Sequence, residues 1–221
     1  MTAQLAERRR RLEAGEQVLG WKVGFGAPAA MQSLGIDRPL VGYLMRSALI
    51  DNSTDLACAN FTKLAIEPEV AVYLGSGLDN GSDKAAIRAA ISGLGAAIEI
   101  ADLAFPPAAG VEAILAGNIY QRGIILGTAD QHRAGAVLTD LKATVRINGV
   151  DIEIADDLEA NTGPILDIVA LVADILAAMG ERLEAGELII AGSIVPPLFP
   201  EAGTRIRYTL GEAPPLSIGI I

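Results

Sequence analysis

The chain has 221 residues, 51% of them hydrophobic and 20% charged, which suits one sizeable core and excludes intrinsic disorder. Its net charge of -10 argues against nucleic acid as a partner, because a phosphate backbone would repel it. The lone Cys58 excludes an intrachain disulfide, and no uncharged apolar run is long enough to span a bilayer. The charged N-terminus lacks the apolar core of a signal peptide, so the expected location is cytoplasmic.

Residues 2–16 read as a polar helix ending near Gly15. Its run Arg8–Arg11, flanked by Glu7, Glu13 and Glu16, is expected to be a solvated face. "WKVGFG" is a short strand entering a glycine turn, and Pro28 starts a short helix over 27–34. "LVGYLMRSALID" holds one or two short strands, and "IEPEVAVYLG" is a strand ending at Gly75. Ser82 or Asp83 caps a helix over "KAAIRAAISG", and "GAAIEIAD" is the next strand. "PPAAGVEAILAGN" reads as a helix after a double proline, and "RGIILG" as a strand.

Within "KATVRINGVDIEIA", Asn148 and Gly149 sit between two alternating runs, which predicts a hairpin. Ile165, Ile168, Val169, Val172, Ile175, Leu176 and Met179 form one stripe and predict a helix over 164–179. "ELIIAGSIV", "TRIRYTLG" and "PLSIGII" are strands. Strands outnumber helices and tight turns often join them. The expected fold is therefore α+β, a mixed, largely antiparallel sheet with helices packed outside. Residues 1–16 are read as an N-terminal helical arm and 17–221 as a single domain.

The chemistry concentrates in two strands. Glu67 and Glu69 lie two apart, so both project from one strand face, with Ala71 and Tyr73 beyond them. Ile66, Val70, Val72 and Leu74 form the opposite, core-facing side. Glu99 is the only charge in "GLGAAIEIA", and its same-face neighbours Ala97 and Ala101 leave space above the strand. A buried carboxylate must be protonated, paired or bound to a cation. Three carboxylates without histidine suit a hard cation. On spacing alone the alternative stays open: ordinary glutamates on a solvent-facing sheet side.

Other patterns carry less. Gly24, Gly26 and Ala29 mimic a dinucleotide fingerprint with Asp51, but regular βαβ units do not follow. Cys58 and His132 make a weak dyad signal, best read as a buried cysteine and a surface histidine.

"WKVGF", "IEPEVAVYLG", "AAIEIAD" and "LEAGELIIAGSIVPPLFPEAGTRIRYTLG", in that order, resemble the fumarylacetoacetate hydrolase superfamily, and within it the 2-keto-4-pentenoate hydratase and 4-oxalocrotonate decarboxylase branch. The resemblance covers residues 20–221. It implies the family's mixed β-sheet roll with outer helices. It also implies Mg²⁺ or Mn²⁺ held by Glu67, Glu69 and Glu99, with Lys22 near the substrate, Ser193 bordering the pocket and, more loosely, Asn118 as a site residue.

The implied activity is that of a metal-dependent lyase of aromatic catabolism acting on a small 2-oxo acid through an enolate, in a homo-oligomer. Hydration of a 2-hydroxy-dienoate is favoured because "WKVGF" and the Glu67–Glu99 spacing follow the branch. The superfamily's hydrolases usually add a histidine base, and His132 lies elsewhere. Decarboxylation and C–C bond hydrolysis are the alternatives. The chain departs from the branch twice. "PLVGYL" lacks the Asp of an Asp-aromatic-Gly motif, and "DLAF" keeps Asp102 but loses the Arg of "DSR". The lost Arg points to a monocarboxylate with an apolar tail. Both losses leave a non-catalytic binding subunit as a reading of another class.

Overall fold

The computed structural model describes residues 2–221. Eleven strands are described: β1 Val18–Gly24, β2 Leu40–Met45, β3 Asp55–Leu56, β4 Leu64–Leu74, β5 Ile91–Asp102, β6 Gln121–Leu126, β7 Ala143–Ile147, β8 Val150–Ile152, β9 Leu188–Ser193, β10 Arg205–Leu210 and β11 Leu216–Ile220. Five helices accompany them: α1 Thr2–Glu13, α2 Pro28–Leu34, α3 Lys84–Ala90, α4 Val111–Ala116 and α5 Ile165–Ala177. Among the described residues, no helix is long and apolar enough to cross a membrane.

The strands form two sheets. One has the order β2-β1-β9-β4-β5-β6 and the other β3-β11-β10-β7-β8. Pairing is antiparallel except between β1 and β9 and between β11 and β3. The six-stranded sheet rolls until its ends meet. Leu49, just past β2, bridges Ile124 of β6, and the Ile50 N–H donates to the Ile124 carbonyl at 2.9 Å. This is the expected mixed, largely antiparallel roll, and it separates an inner face from an outer one.

The strand alternation sorts residues between those faces. Ile66, Val70, Val72, Ile98 and Ile100 point outward and share the main core with Val145, Ile206, Tyr208 and Ile218 of the second sheet. The α5 stripe joins the same core through Ile165, Ile168, Val169, Val172 and Leu176. Pointing inward, Ala71 and Ala97 pack with Leu44, Ile124 and Ile190 and plug the roll at one end. The roll is thus dry and apolar on that side and polar on the other.

Three local readings change. Helix α3 starts as expected, with the Asp83 side chain accepting from the Ala86 N–H at 2.8 Å, but stops at Ala90. The next residues belong to β5 because Ile91 pairs with Leu74 and is buried, so sheet pairing outweighs local helix propensity. The helix expected after the double proline is interrupted at Gly110, whose φ is +94. It ends before Asn118, Ile119 and Tyr120, all of which have positive φ. Arg8 is buried rather than solvated. It pairs with Glu181 at 2.8 Å and lies 4.8 Å over the Trp21 ring, so α1 is docked onto the rest of the chain.

Candidate active site

The register of β4 and β5 sets Glu67 directly opposite Glu99 and Glu69 opposite Ala97. All three acids project into the roll, and each brings one oxygen within 4.8 Å of the others. Glu99 is 0% and Glu69 1% exposed, which corrects the solvent-facing alternative: these acids line an interior. Of the two alanines expected to leave space, Ala101 lines the cavity, whereas Ala97 is packed into the apolar plug.

Neighbouring strands complete the site. On β9, the Gly192 N–H donates to Glu69 Oε2 at 2.7 Å. Gly192 has φ +98, and a Cβ there would meet the Thr162 Cγ2 at 2.9 Å, so glycine is required. On β1, Lys22 is 2% exposed and its ammonium bonds to Glu99 Oε1 and, at 3.1 Å, to the Ile119 carbonyl. Opposite Lys22 on β2 stands Gly42, where a Cβ would lie 2.9 Å from Lys22 Cγ. The absent side chain leaves the path along which Lys22 reaches the acids.

Burial dominates the electrostatics. It pushes the Glu99 carboxyl up to about 7, with the Lys22 charge opposing and the Glu67 charge adding. Glu69 is raised well above the usual carboxylate range by burial, then by the charges of Glu99 and Glu67. Glu67 is raised by burial against the pull of Lys22. For Lys22, burial favours the neutral amine, but the charges of Glu99, Glu67 and Glu69 together outweigh it and hold the ammonium.

One lysine cannot neutralise three carboxylates, and Glu99 Oε2 is buried without a hydrogen-bond partner. A cluster of hard oxygen donors with an orphaned buried acceptor fits Mg²⁺ or Mn²⁺, with Glu67, Glu69 and Glu99 as the residues that would hold it.

Above the acids opens a cavity of about 190 Å³. Lys22, Glu67, Glu69 and Ser193 are polar residues in its lining, joined by Asn161 and Thr162 from the segment before α5. Phe25, Ala30, Leu103, Pro107, Val195 and Pro197 make much of the rest apolar. Lys22 is its only cationic lining residue among those described.

Ser193 borders the cavity as expected; its Oγ donates to the Pro68 carbonyl at 3.3 Å and its own carbonyl accepts from Asn161 Nδ2 at 2.7 Å. Asn118 has another place. Its Nδ2 donates to the Tyr43 carbonyl at 2.9 Å, and its Oδ1 accepts from the Tyr43 N–H and from Gln4 Nε2, both at 3.0 Å. The amide is clasped by β2 and α1, and Asn118 does not line the cavity. It fixes the turn whose next carbonyl, that of Ile119, receives Lys22. Asp102 clamps a loop, accepting from the Thr62 and Lys63 N–H groups, and does not line the cavity. Gly24 and Gly26 line the cavity, and His132 is exposed.

Sequence reasoning missed Gln4, Tyr120, Asn161, Thr162 and the Gly192 N–H. Only Gly192, beside Ser193 in a recognised segment, carried any signal. The rest reach the site from loops or from a helix distant in the chain.

Three acids on the inner face of a rolled sheet, a buried lysine bonded to one of them and a half-apolar cavity above form a carboxylate cluster that could hold a divalent cation. Residues 21–220 match the model of the fumarylacetoacetate (FAA) hydrolase C-terminal family, and the chain belongs to that family. It is 26% identical over 198 residues to a 4-oxalocrotonate decarboxylase of a Pseudomonas species, covering 89% of this chain and 76% of that protein. To a 2-keto-4-pentenoate hydratase of Burkholderia vietnamiensis it is 26% identical over 206 residues, covering 89% and 76%. Among solved structures, 4-oxalocrotonate decarboxylase from Pseudomonas putida G7, complexed with magnesium and adipate, superposes with a TM-score of 0.88 at 25% identity, over 99% of this chain and 83% of that one. Fumarylpyruvate hydrolase from Pseudomonas aeruginosa, in complex with Mn²⁺ and pyruvate, shares the fold at TM-score 0.69 and 13% identity, over 91% and 88%.

Proposed function

We propose that this protein is a divalent-metal-dependent lyase that hydrates a 2-hydroxy-dienoate by way of an enolate. The observation that carries the reading is the clustering of Glu67, Glu69, Glu99 and Lys22, of which Glu67, Glu69 and Lys22 line one cavity whose other lining is largely apolar. A bound Mg²⁺ or Mn²⁺ would supply Lewis-acid stabilisation of the charge developing on the 2-oxo oxygen.

The protein's own groups supply the rest. Glu99 and the Ile119 carbonyl take two of the three donors of the Lys22 ammonium, leaving one for the substrate carboxylate or for a proton in transit. Lys22 stays charged only through the acids, so neutralising them lets burial draw it toward the amine that can accept a proton. The Gly192 N–H holds Glu69 in place, and the rolled sheet below excludes water. Leu103 and Pro107 favour an apolar tail over a second carboxylate, which would want an Arg or Lys partner.

A second reading, decarboxylation of a 2-oxo diacid, is favoured by the likeness to the decarboxylase that binds adipate, itself a dicarboxylate. Turnover of 2-hydroxypenta-2,4-dienoate against 2-oxo-hex-3-enedioate, each with Mg²⁺, separates the two. Preference for the diacid with CO₂ release would establish the decarboxylase. Turnover of neither would leave a binding protein.

A further inference from the structure

Tyr120 is a cavity residue that the site chemistry leaves unused. It lines the cavity and is 5% exposed, yet its hydroxyl is buried without a hydrogen-bond partner. Its ring is held tightly, 4.8 Å from that of Phe105 and 6.4 Å from that of Phe25, both tilted against it. A phenylalanine would make those contacts without burying an unpaired hydroxyl. The backbone is costly as well. Asn118, Ile119 and Tyr120 have φ of +51, +52 and +65, in a region that a β-branched residue such as Ile119 rarely enters.

Two anchors hold that turn. The Asn118 amide is clasped by Tyr43 and Gln4, and the Ile119 carbonyl accepts from Lys22. One turn therefore fixes two groups on the same cavity. It supports Lys22 at the acid end and sets a phenol among the apolar residues Phe25, Leu103 and Pro107. The chain itself offers that phenol no partner, and an oxygen of a bound ligand would give it one.

We propose that Tyr120 is a specificity-determining residue, its hydroxyl donating a hydrogen bond to an oxygen on the part of a bound 2-oxo acid remote from its carboxylate, such as a C4 hydroxyl. This rests on the 2-oxo acid reading and deepens it. The ligand class becomes 2-oxo acids with a polar atom on an otherwise apolar tail, and plain alkyl 2-oxo acids bind less well.

The test is calorimetric titration of the Mg²⁺-saturated protein and its Tyr120→Phe variant with 4-hydroxy-2-oxopentanoate and with 2-oxopentanoate. The wild type is expected to prefer the hydroxylated ligand about tenfold, the worth of one well-made hydrogen bond. Y120F should lose that preference while binding 2-oxopentanoate as before. Without ligand it should melt at or above the wild-type temperature, because it removes an unpaired buried hydroxyl. A preference retained by Y120F or absent from the wild type, an equal loss for both ligands, or a lower ligand-free melting temperature overturns the assignment. Failure of the wild type to bind either ligand overturns the 2-oxo acid reading and this inference with it.

Discussion

Glu67 of β4 lies directly across the sheet from Glu99 of β5, two acids in one register pair on a buried face. Like charges set opposite each other destabilise a sheet, and burial adds to the cost. Lys22 answers part of that charge through its bond to Glu99. The remainder is the electrostatic demand that a divalent cation would meet, and the first expectations follow from it.

Glu99→Gln keeps the shape of the side chain and an acceptor for Lys22 while removing one charge. Mg²⁺ affinity should fall by more than about 100-fold, since even outer-shell partners of a metal site are worth 10–100-fold. Calorimetric titration with Mg²⁺ measures this, and circular dichroism should show an unchanged fold. Wild-type affinity in the variant would remove Glu99 from the site.

Lys22 and a cation share the same negative field. In Lys22→Met turnover should drop by about 10²–10⁴-fold, the range for loss of a positioned proton-transfer group. Mg²⁺ should bind at least as tightly as in the wild type, because a competing positive charge is gone. Weaker Mg²⁺ binding in this variant would show that Lys22 organises the acids instead of competing with the cation.

The pH dependence has a definite sign. Burial raises the Glu99 carboxyl from its ordinary 4.5 to about 7, so the folded metal-free protein holds this proton more tightly than the unfolded chain. Its contribution is fully present below about 4.5 and is lost as pH rises through about 7, a change worth roughly 3 kcal/mol. Metal-free protein should melt lower at pH 8 than at pH 5, and less steeply so in Glu99→Gln. Saturating Mg²⁺ should raise the melting temperature more at pH 8, where the carboxylates are ionised. Equal Mg²⁺ stabilisation at both pH values would count against a carboxylate-held cation.

Gly192→Ala should act at a distance of one hydrogen bond. The new methyl group would press on Thr162 from a left-handed backbone, displacing the N–H that holds Glu69. A loss of about 1–3 kcal/mol is expected for such strain, together with weaker Mg²⁺ binding. Denaturant unfolding and Mg²⁺ titration of the same variant measure the two effects.

Assembly is a separate expectation. A mean hydropathy of +0.40 and exposed Val150, Phe199 and Ile221 favour a homo-oligomer that covers apolar surface. Light scattering at micromolar concentration should give a multiple of the 22.9 kDa chain; a monomer mass would refute it.

Much of this was legible along the chain because it rests on periodicity. The two-residue spacing of Glu67 and Glu69 placed both acids on one face, and the lone Glu99 among small apolar residues marked a second acid strand. The α5 stripe and the Asn148–Gly149 hairpin were equally local, and both formed as expected. Beyond local pattern, resemblance brought the three acids together as one cation site and singled out Lys22 and Ser193.

What only the tertiary structure decided is which groups meet and which stay dry. The bond between Lys22 and Glu99 joins residues 77 positions apart, and Gln4 reaches Asn118 across 114. Asn118 turned from a candidate site residue into the clasp of a strained turn, because its amide found the backbone of Tyr43 before any ligand. The closing of the six-stranded sheet, through Ile50 and Ile124, made an interior of the face carrying the acids. Strand alternation determines that the acids share a side. Whether that side is solvent or a sealed floor depends on sheet curvature and on long-range pairing, to which no short stretch of sequence commits.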